Sequence, residues 1–333
     1  MFRKGKSMLR SQTLFLIICL LIVAVRPVSG QYEKEAGKLL FKNVLAAMPA
    51  GPGKVAYLRP DPKHPGAAVE LYLGDMKTLT ETRALQGVGF GKTAGMVFAW
   101  SPDGSEFVIP QLSNGCWELF RYKSGSRTGE QISKLIQYRE VKSKEMLVEE
   151  DLTEEQLLQI AELAYSPSGK RILFLMDRPG RQSLWWIDLQ TGNTRQATED
   201  QIGFYGCFAP DDDHISYTIN RRIDLNVLSS NEDIVLRTLS TGEIDTLTNS
   251  PAMEFSGVIS PNGKYLAYVV TTANINNLWV MNLATRQSRQ FTFATAGKNC
   301  MTPNWTSDGK QIVFLGLGFM AQPAVFVKDF LPF

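Results

Sequence analysis

Five times along this 333-residue chain an aromatic or aliphatic residue runs into a Ser-Pro-Asp-Gly turn or a close variant of it. The copies are Phe98-Ala-Trp-Ser-Pro-Asp-Gly104, Leu163-Ala-Tyr-Ser-Pro-Ser-Gly169, Gly206-Cys-Phe-Ala-Pro-Asp-Asp212, Gly257-Val-Ile-Ser-Pro-Asn-Gly263 and Pro303-Asn-Trp-Thr-Ser-Asp-Gly309. A worn copy, Gly51-Pro-Gly-Lys54, precedes them. Proline presets φ near −65° at the second turn position, Asp or Asn bonds the local backbone, and Gly takes the left-handed conformation without steric cost. Each motif is therefore a tight turn between two strands, and a fold with one such turn every 43 to 65 residues is built from repeats. Asp212 stands where the other copies have Gly.

What surrounds the turns fixes the repeat unit. A β-rich run follows each one: Glu106–Ile109, Arg171–Leu175, Ile215–Ile219, Tyr265–Val270 and Gln311–Leu315. Next comes a run ending in Asp or Asn and an apolar residue, clearest in Leu71–Met76, Leu184–Leu189, Leu278–Leu283 and Val325–Phe330, weaker in Trp117–Tyr122 and Ile234–Leu239. A polar turn and a threonine-rich strand close the unit, as in Thr191–Thr198, Thr241–Thr248 and Ala284–Thr292. Each unit is four short antiparallel strands. One such sheet cannot cover both its faces, whereas radial stacking of several covers all of them. The expected fold is all-β: a six-bladed β-propeller of four-stranded antiparallel blades. The last unit stops at Phe333 without a fourth strand, so closure requires the segment around Gln31–Ala50 to supply it. Leu39, Leu40, Val44 and Leu45 within that segment also suit a short helix, and both forms stay open.

Two insertions break the period. Lys134–Ile160 falls between the second and third units, and its Thr153-Glu-Glu-Gln156 is a capping-box pattern that predicts one short helix over Leu157, Leu158 and Ile160. Arg221–Asp233 falls inside the fourth unit. Long loops on a rigid scaffold often carry binding residues.

The first thirty residues read as an export leader. Arg3, Lys4, Lys6 and Arg10 precede an unbroken apolar run, Leu14–Val25, and Val28-Ser-Gly30 offers a cleavage site. The division expected is 1–30 signal peptide and 31–333 propeller. The apolar run is shorter than the roughly 20 residues of a spanning helix, so no stable membrane span is expected after the leader is removed. The leader holds five Lys/Arg and no acid, and without it the formal charge of +2 falls by five, to −3. No basic excess then remains to attract nucleic acid. Cys116, Cys207 and Cys300 form no CxxC, and their odd count leaves at least one free thiol in an oxidising compartment; Cys207 and Cys300 fall in non-adjacent units and are not expected to pair, and all three read as small core or turn residues.

The Ser-Pro-Asp-Gly turn followed by a strand and then Leu-Trp-Val-Met-Asn-Leu283 resembles the WD40-like (PD40) repeat of TolB-type propellers, over roughly residues 51 to 330. The resemblance implies a periplasmic or secreted protein whose propeller binds a protein, as the TolB propeller binds the peptidoglycan-associated lipoprotein of the cell envelope. That family also carries an α/β domain before its propeller, for which the roughly 20 residues between leader and first unit leave no room. The same repeat occurs in the propellers of prolyl oligopeptidase-type peptidases and of oligogalacturonate lyases, so the fold alone does not choose a function.

Residue chemistry favours binding over catalysis. No Gly-x-Ser-x-Gly elbow is present for a serine hydrolase. The two histidines, His64 in a proline-rich loop and His214 at a strand start, are too few for a histidine-rich metal site and read as surface or strand residues. Asp211-Asp212-Asp213 has the oxygen density of a calcium loop but is more simply a degenerate repeat turn. The aromatic series Trp100, Tyr165, Phe208 and Trp305 holds a constant place in the repeat and reads as inter-blade packing. Site candidates are residues that vary at an aligned inner-strand position. One such position reads Val97, Glu162, Tyr205, Ser256 and Thr302, and at a second Asn304 replaces Ala99, Ala164, Cys207 and Val258. The candidate binding residues are Glu162, Tyr205 and Asn304, with Arg221 and Arg222 on the second insertion. No catalytic set, no metal site and no cofactor is expected, and a protein or cell-envelope component is the expected partner.

Overall fold

The computed structural model describes residues 37–63, 68–88, 97–114, 116–135, 159–178, 181–199, 204–221, 231–320 and 322–333. Its first strand, β1 (Lys38–Lys42), stands apart from the first blade, which is β2 (Ala46–Pro49), β3 (Lys54–Pro60), β4 (Val69–Asp75) and β5 (Glu81–Val88). Blade 2 is β6 (Ala99–Trp100), β7 (Glu106–Ser113), β8 (Cys116–Lys123) and β9 (Glu130–Gln131). Blade 3 is β10 (Gln159–Tyr165), β11 (Arg171–Arg178), β12 (Arg181–Asp188) and β13 (Thr194–Gln196). Blade 4 is β14 (Phe204–Phe208), β15 (His214–Arg221), β16 (Asn231–Thr238) and β17 (Ile244–Thr246). Blade 5 is β18 (Met253–Ile259), β19 (Tyr265–Thr272), β20 (Ile275–Asn282) and β21 (Ser288–Gln290). Blade 6 is β22 (Asn299–Trp305), β23 (Gln311–Leu317) and β24 (Ala324–Asp329), completed by β1. All pairings are antiparallel, and the first strands of successive blades touch one another around the whole ring. The fold is a closed six-bladed propeller with β2, β6, β10, β14, β18 and β22 innermost.

The turns form as their residues require. Ser101 Oγ donates to Asp103 Oδ1 (2.6 Å) and accepts from Glu106 N (3.0 Å), while Ser105 N donates back to Asp103 Oδ1 (2.9 Å). Ser260 with Asn262 and Thr306 with Asp308 repeat this arrangement. Gly104, Gly169, Gly263 and Gly309 have φ between 67° and 79°, and Asp212, in the glycine place, has φ 60°. The half-repeat's Asp or Asn has an equally local task. Asp75, Asp188 and Asn282 each accept from the backbone N–H groups two and three residues on, which turns the third strand into the fourth.

The fourth strand is then fastened by a buried hydroxyl. Leu119 N donates to Ser133 Oγ (2.8 Å), Leu184 N to Thr198 Oγ1 (2.9 Å), Ile234 N to Thr248 Oγ1 (2.8 Å) and Leu278 N to Thr292 Oγ1 (2.8 Å). A backbone donor inside the protein costs about 1–3 kcal/mol if left unpaired, which explains the Ser/Thr that ends each threonine-rich run.

The core is six seams rather than one centre. Trp100 packs between blades 1 and 2, Tyr165 between 2 and 3, Phe208 between 3 and 4, Ile259 between 4 and 5, and Trp305 between 5 and 6. The sixth seam, between blades 6 and 1, is made by Phe41, Val44, Val55, Tyr57, Val313 and Val325. The segment open to two readings is thus a strand. Lys38 and Lys42 of β1 pair with Val327 and Ala324 of β24. From the same strand Phe41 stacks on Tyr57 (4.8 Å), Lys38 Nζ donates to Met76 O (3.1 Å), and Arg59 Nε donates to Lys42 O (3.2 Å). Gly74 makes room for this contact, since a Cβ there would come within 2.4 Å of Phe41 Cζ.

Among the described residues there is no α-helix, and no helix long and apolar enough to cross a membrane. The helix expected after Thr153 falls outside the described residues, except that Ile160 belongs to β10. Within the second insertion, Arg221 ends β15 and Asn231–Asp233 opens β16. Cys116 and Cys300 are buried, and Cys207, on β14, is half-buried.

Candidate functional site

The innermost strands of four consecutive blades share one irregularity. Pairing slips between Ala161 and Leu163, Phe204 and Cys207, Phe255 and Val258, and Met301 and Asn304. The left-handed residues in these bulges are Glu162 (φ 59°), Tyr205 (φ 54°), Ser256 (φ 54°) and Thr302 (φ 50°). They occupy the aligned variable position, four residues before the turn. Non-glycine residues in the left-handed region cost about 1–3 kcal/mol each, and a β-branched Thr is the least suited to it. A bulge re-aims the side chain and interrupts the strand edge. At the same place blade 1 carries Ala46, which pairs with Leu58 without a slip, and blade 2 carries Val97, which lies ahead of β6.

Glu162 and Tyr205 are brought together. Glu162 Oε2 reaches across the seam between blades 3 and 4 and accepts from Tyr205 N, with Gly206 N at 3.4 Å. Burial raises the Glu162 carboxyl to about 7, and the two backbone donors oppose that shift. Burial, with the carboxyls of Glu162 and Glu232 beside it, pushes the Tyr205 phenol well above its ordinary range. The Tyr205 ring leans on Phe255, 5.6 Å between centroids. Between blades 4 and 5 the same job falls to a neighbour: Thr218 Oγ1 accepts from Ser256 N (3.3 Å).

Asn304 lies on β22, two blades beyond Tyr205, and its Nδ2 donates to Thr302 O (3.2 Å). It joins the inner wall but not the Glu162–Tyr205 contact. Arg221 is the last residue of β15, and Arg222 falls outside the described residues, as does His64. One residue that the variable position could not flag is Glu232, on β16, whose carboxyl burial raises to about 7. Its only sequence signal is an acid opening a strand beside the second insertion.

Other candidates have structural tasks. Asp211 accepts from the backbone of Asp213 and His214 and pairs with His214 Nδ1 (2.7 Å). Asp212 accepts from Ser168 Oγ of the neighbouring turn, and Asp213 accepts from Ser240 Oγ (2.6 Å). The aspartate triplet is thus a repeat turn knitted to its surroundings. No group of three His, Cys, Asp or Glu residues is placed to hold a metal among the described residues.

With this geometry the chain is similar to several solved propellers. TolB from Acinetobacter baumannii gives a TM-score of 0.58 at 16% identity, over 83% of this chain and 64% of that one, so the chain spans about 64% of that protein's length. A putative TolB from Agrobacterium tumefaciens gives 0.55 at 14% identity over 88% and 91% of the two chains. An oligogalacturonate lyase in complex with manganese gives 0.52 at 17% identity over 84% and 74%. No family model matches the sequence, and no curated protein matches it. Likeness at this identity shows fold alone: the chain is a TolB-like six-bladed β-propeller.

Proposed function

We propose that this chain is an exported, non-catalytic propeller of the periplasm or cell exterior that binds a protein or cell-envelope component at its inner wall and inserted loops. The observation that carries the reading is the use made of Glu162. Its carboxylate oxygen is engaged by two backbone amides across a blade seam, which shapes a surface. General acid–base work needs a positioned partner for the reacting proton. The leader over residues 1–30 supports export, and the likeness to TolB propellers supports a binding role.

The test is affinity capture from native envelope extract, with the components identified by mass spectrometry. The reading expects one reproducible component, lost or reduced when residues 136–158 are replaced by a short linker. Absence of any reproducible component would sink it. A second reading, a polysaccharide- or peptide-processing enzyme, is favoured by one observation: Glu162 and Glu232, both raised to about 7, flank a tyrosine. It predicts turnover that disappears in Glu162→Gln.

A further inference from the structure

We propose that the outer edge of blade 1 is a dimer interface, at which β5 pairs antiparallel with β5 of a second copy of this chain about a two-fold axis at Thr82. This goes beyond the binding reading above and stands apart from it.

Blade 1 ends differently from its neighbours. The fourth strands of blades 2 to 5 have two or three residues and β1 has five, whereas β5, Glu81–Val88, has eight. One residue accounts for the difference. In blades 2 to 5 the residue 14 places after Leu119, Leu184, Ile234 or Leu278 is the Ser or Thr whose hydroxyl accepts that residue's backbone N–H, and the regular ladder ends there. Counted the same way from Leu71, blade 1 has Leu85. Without a fastening hydroxyl the strand continues along β4, and Leu71 pairs with Leu85 itself.

A long open strand edge is a template for another strand, and proteins blunt such edges with short strands, Lys or Pro. Blades 2 to 5 are blunted by shortness. β5 contains neither Lys nor Pro, and every residue from Lys77 through Arg83 is exposed. The hydrogen bond from Asp75 N to Thr80 O (2.9 Å) sets the phase of the ladder. Backbone groups of an antiparallel strand face its partner at alternate residues, so Thr82 faces β4, while Glu81 and Arg83 turn their N–H and C=O groups outward. Pairing slips around Leu85, and a bulge bends a strand, which leaves Glu81–Arg83 as the straight part of the edge.

That stretch is self-complementary, which selects a second copy over a foreign strand. Antiparallel pairing centred on Thr82 sets each Glu81 opposite Arg83 of the second copy, in two reciprocal pairs of backbone hydrogen bonds, with the two Thr82 residues side by side. Opposite charges and paired threonines are favourable neighbours across strands. The adjacent registers that also bring outward groups together set Glu81 against Glu81 or Arg83 against Arg83, and like charges directly opposite are unfavourable. In the Thr82 register the exposed Leu79 comes opposite Leu85 of the second copy, adding an apolar contact at each end. Recognition runs through the backbone: Glu81 accepts from Arg59 (2.7 Å) and Arg83 donates to Glu70 (2.8 Å), so both side chains are already held along the edge.

The experiment is sedimentation velocity across a concentration series of the full-length chain, expressed with its own leader. A contact this short should give a monomer–dimer equilibrium with a Kd of about 10–100 μM. Thr82→Lys sets two ammonium groups opposite each other and should weaken dimerisation at least about ten-fold without lowering the melting temperature, since Thr82 is exposed. Thr82→Cys supplies a check that needs no destabilising change. Residues facing each other at such a position have Cβ atoms about 4.5–5.5 Å apart, so under mild oxidation this variant should form a covalent dimer much faster than Thr78→Cys, in the adjoining exposed turn. A wild type that stays monomeric throughout the series overturns the inference. So does a Thr82→Lys protein that dimerises as wild type does, or equal cross-linking of the two cysteine variants. A monomer that still captures an envelope component overturns the dimer and leaves the binding reading standing.

Discussion

Replacing Phe41 by Ala tests the ring closure at the residue that holds it. Phe41 is 5% exposed, sits in the seam between blades 6 and 1, and stacks on Tyr57 at 4.8 Å and 23°. Truncating a buried Phe to Ala costs about 3–5 kcal/mol, a figure that includes the lost ring pairing. The lower part of that range applies here, because an outermost strand can relax toward the gap, and about 3–4 kcal/mol is expected. For a chain of this size each kcal/mol shifts the melting temperature by roughly 2 °C, which gives a fall of about 6–8 °C in a calorimetric or circular-dichroism melt. Leu331→Ala is the control: that side chain is 81% exposed, and a surface change of this kind stays within about 0.5 kcal/mol. A fall of less than about 2 °C for Phe41→Ala would refute the reasoning, for it would mean that β1 contributes little to closure.

Other outcomes follow from the same geometry. Gly104→Ala should cost about 2–3 kcal/mol in urea unfolding, since φ is 79° and a Cβ would lie 2.9 Å from Ala50 O, whereas Gly169→Ala, with φ 72° and open space, should cost only about 1–2. Equal costs would show that the turn-to-turn approach does not matter. Thr292→Val should cost about 1–3 kcal/mol, because Leu278 N loses its acceptor, and a neutral result would contradict the hydroxyl fastening of the fourth strand. For Glu162 the folded-state value near 7 lies above the ordinary 4.5, so the folded form holds its proton more tightly. The associated stability is fully present below about pH 4.5 and is lost as pH rises through 7. Wild type should therefore lose up to about 3 kcal/mol more than Glu162→Gln between pH 5 and pH 8. Parallel stability profiles for the two proteins would remove that assignment.

Much of this fold was legible because each repeat restates the same local chemistry. Ser-Pro-Asp-Gly turns need no distant partner, so their positions and the strands flanking them could be read directly, including Asp212 in a glycine's place. The constant aromatic was correctly separable from a ligand platform, since each copy packs into its own seam. Closure was harder. Leu39, Leu40, Val44 and Leu45 fit either period over so short a span, and what decides for a strand is a ladder to Ala324–Val327 near the far end of the chain. The bulges were not legible as such, because Glu, Tyr, Ser and Thr carry no sequence signal for positive φ. Only their variation at one aligned position singled them out. Glu232 gave still less warning, since its shifted carboxyl depends on burial that only the folded chain provides.

The account stands most directly on whether the inner wall is where this propeller binds. Paired affinity capture from native envelope extract, with wild type and a Tyr205→Ala/Thr302→Val variant of verified fold, measures that. The account predicts a reproducible component bound by wild type and at least ten-fold depleted with the variant. Equal recovery by both proteins would place binding elsewhere on the propeller and contradict it.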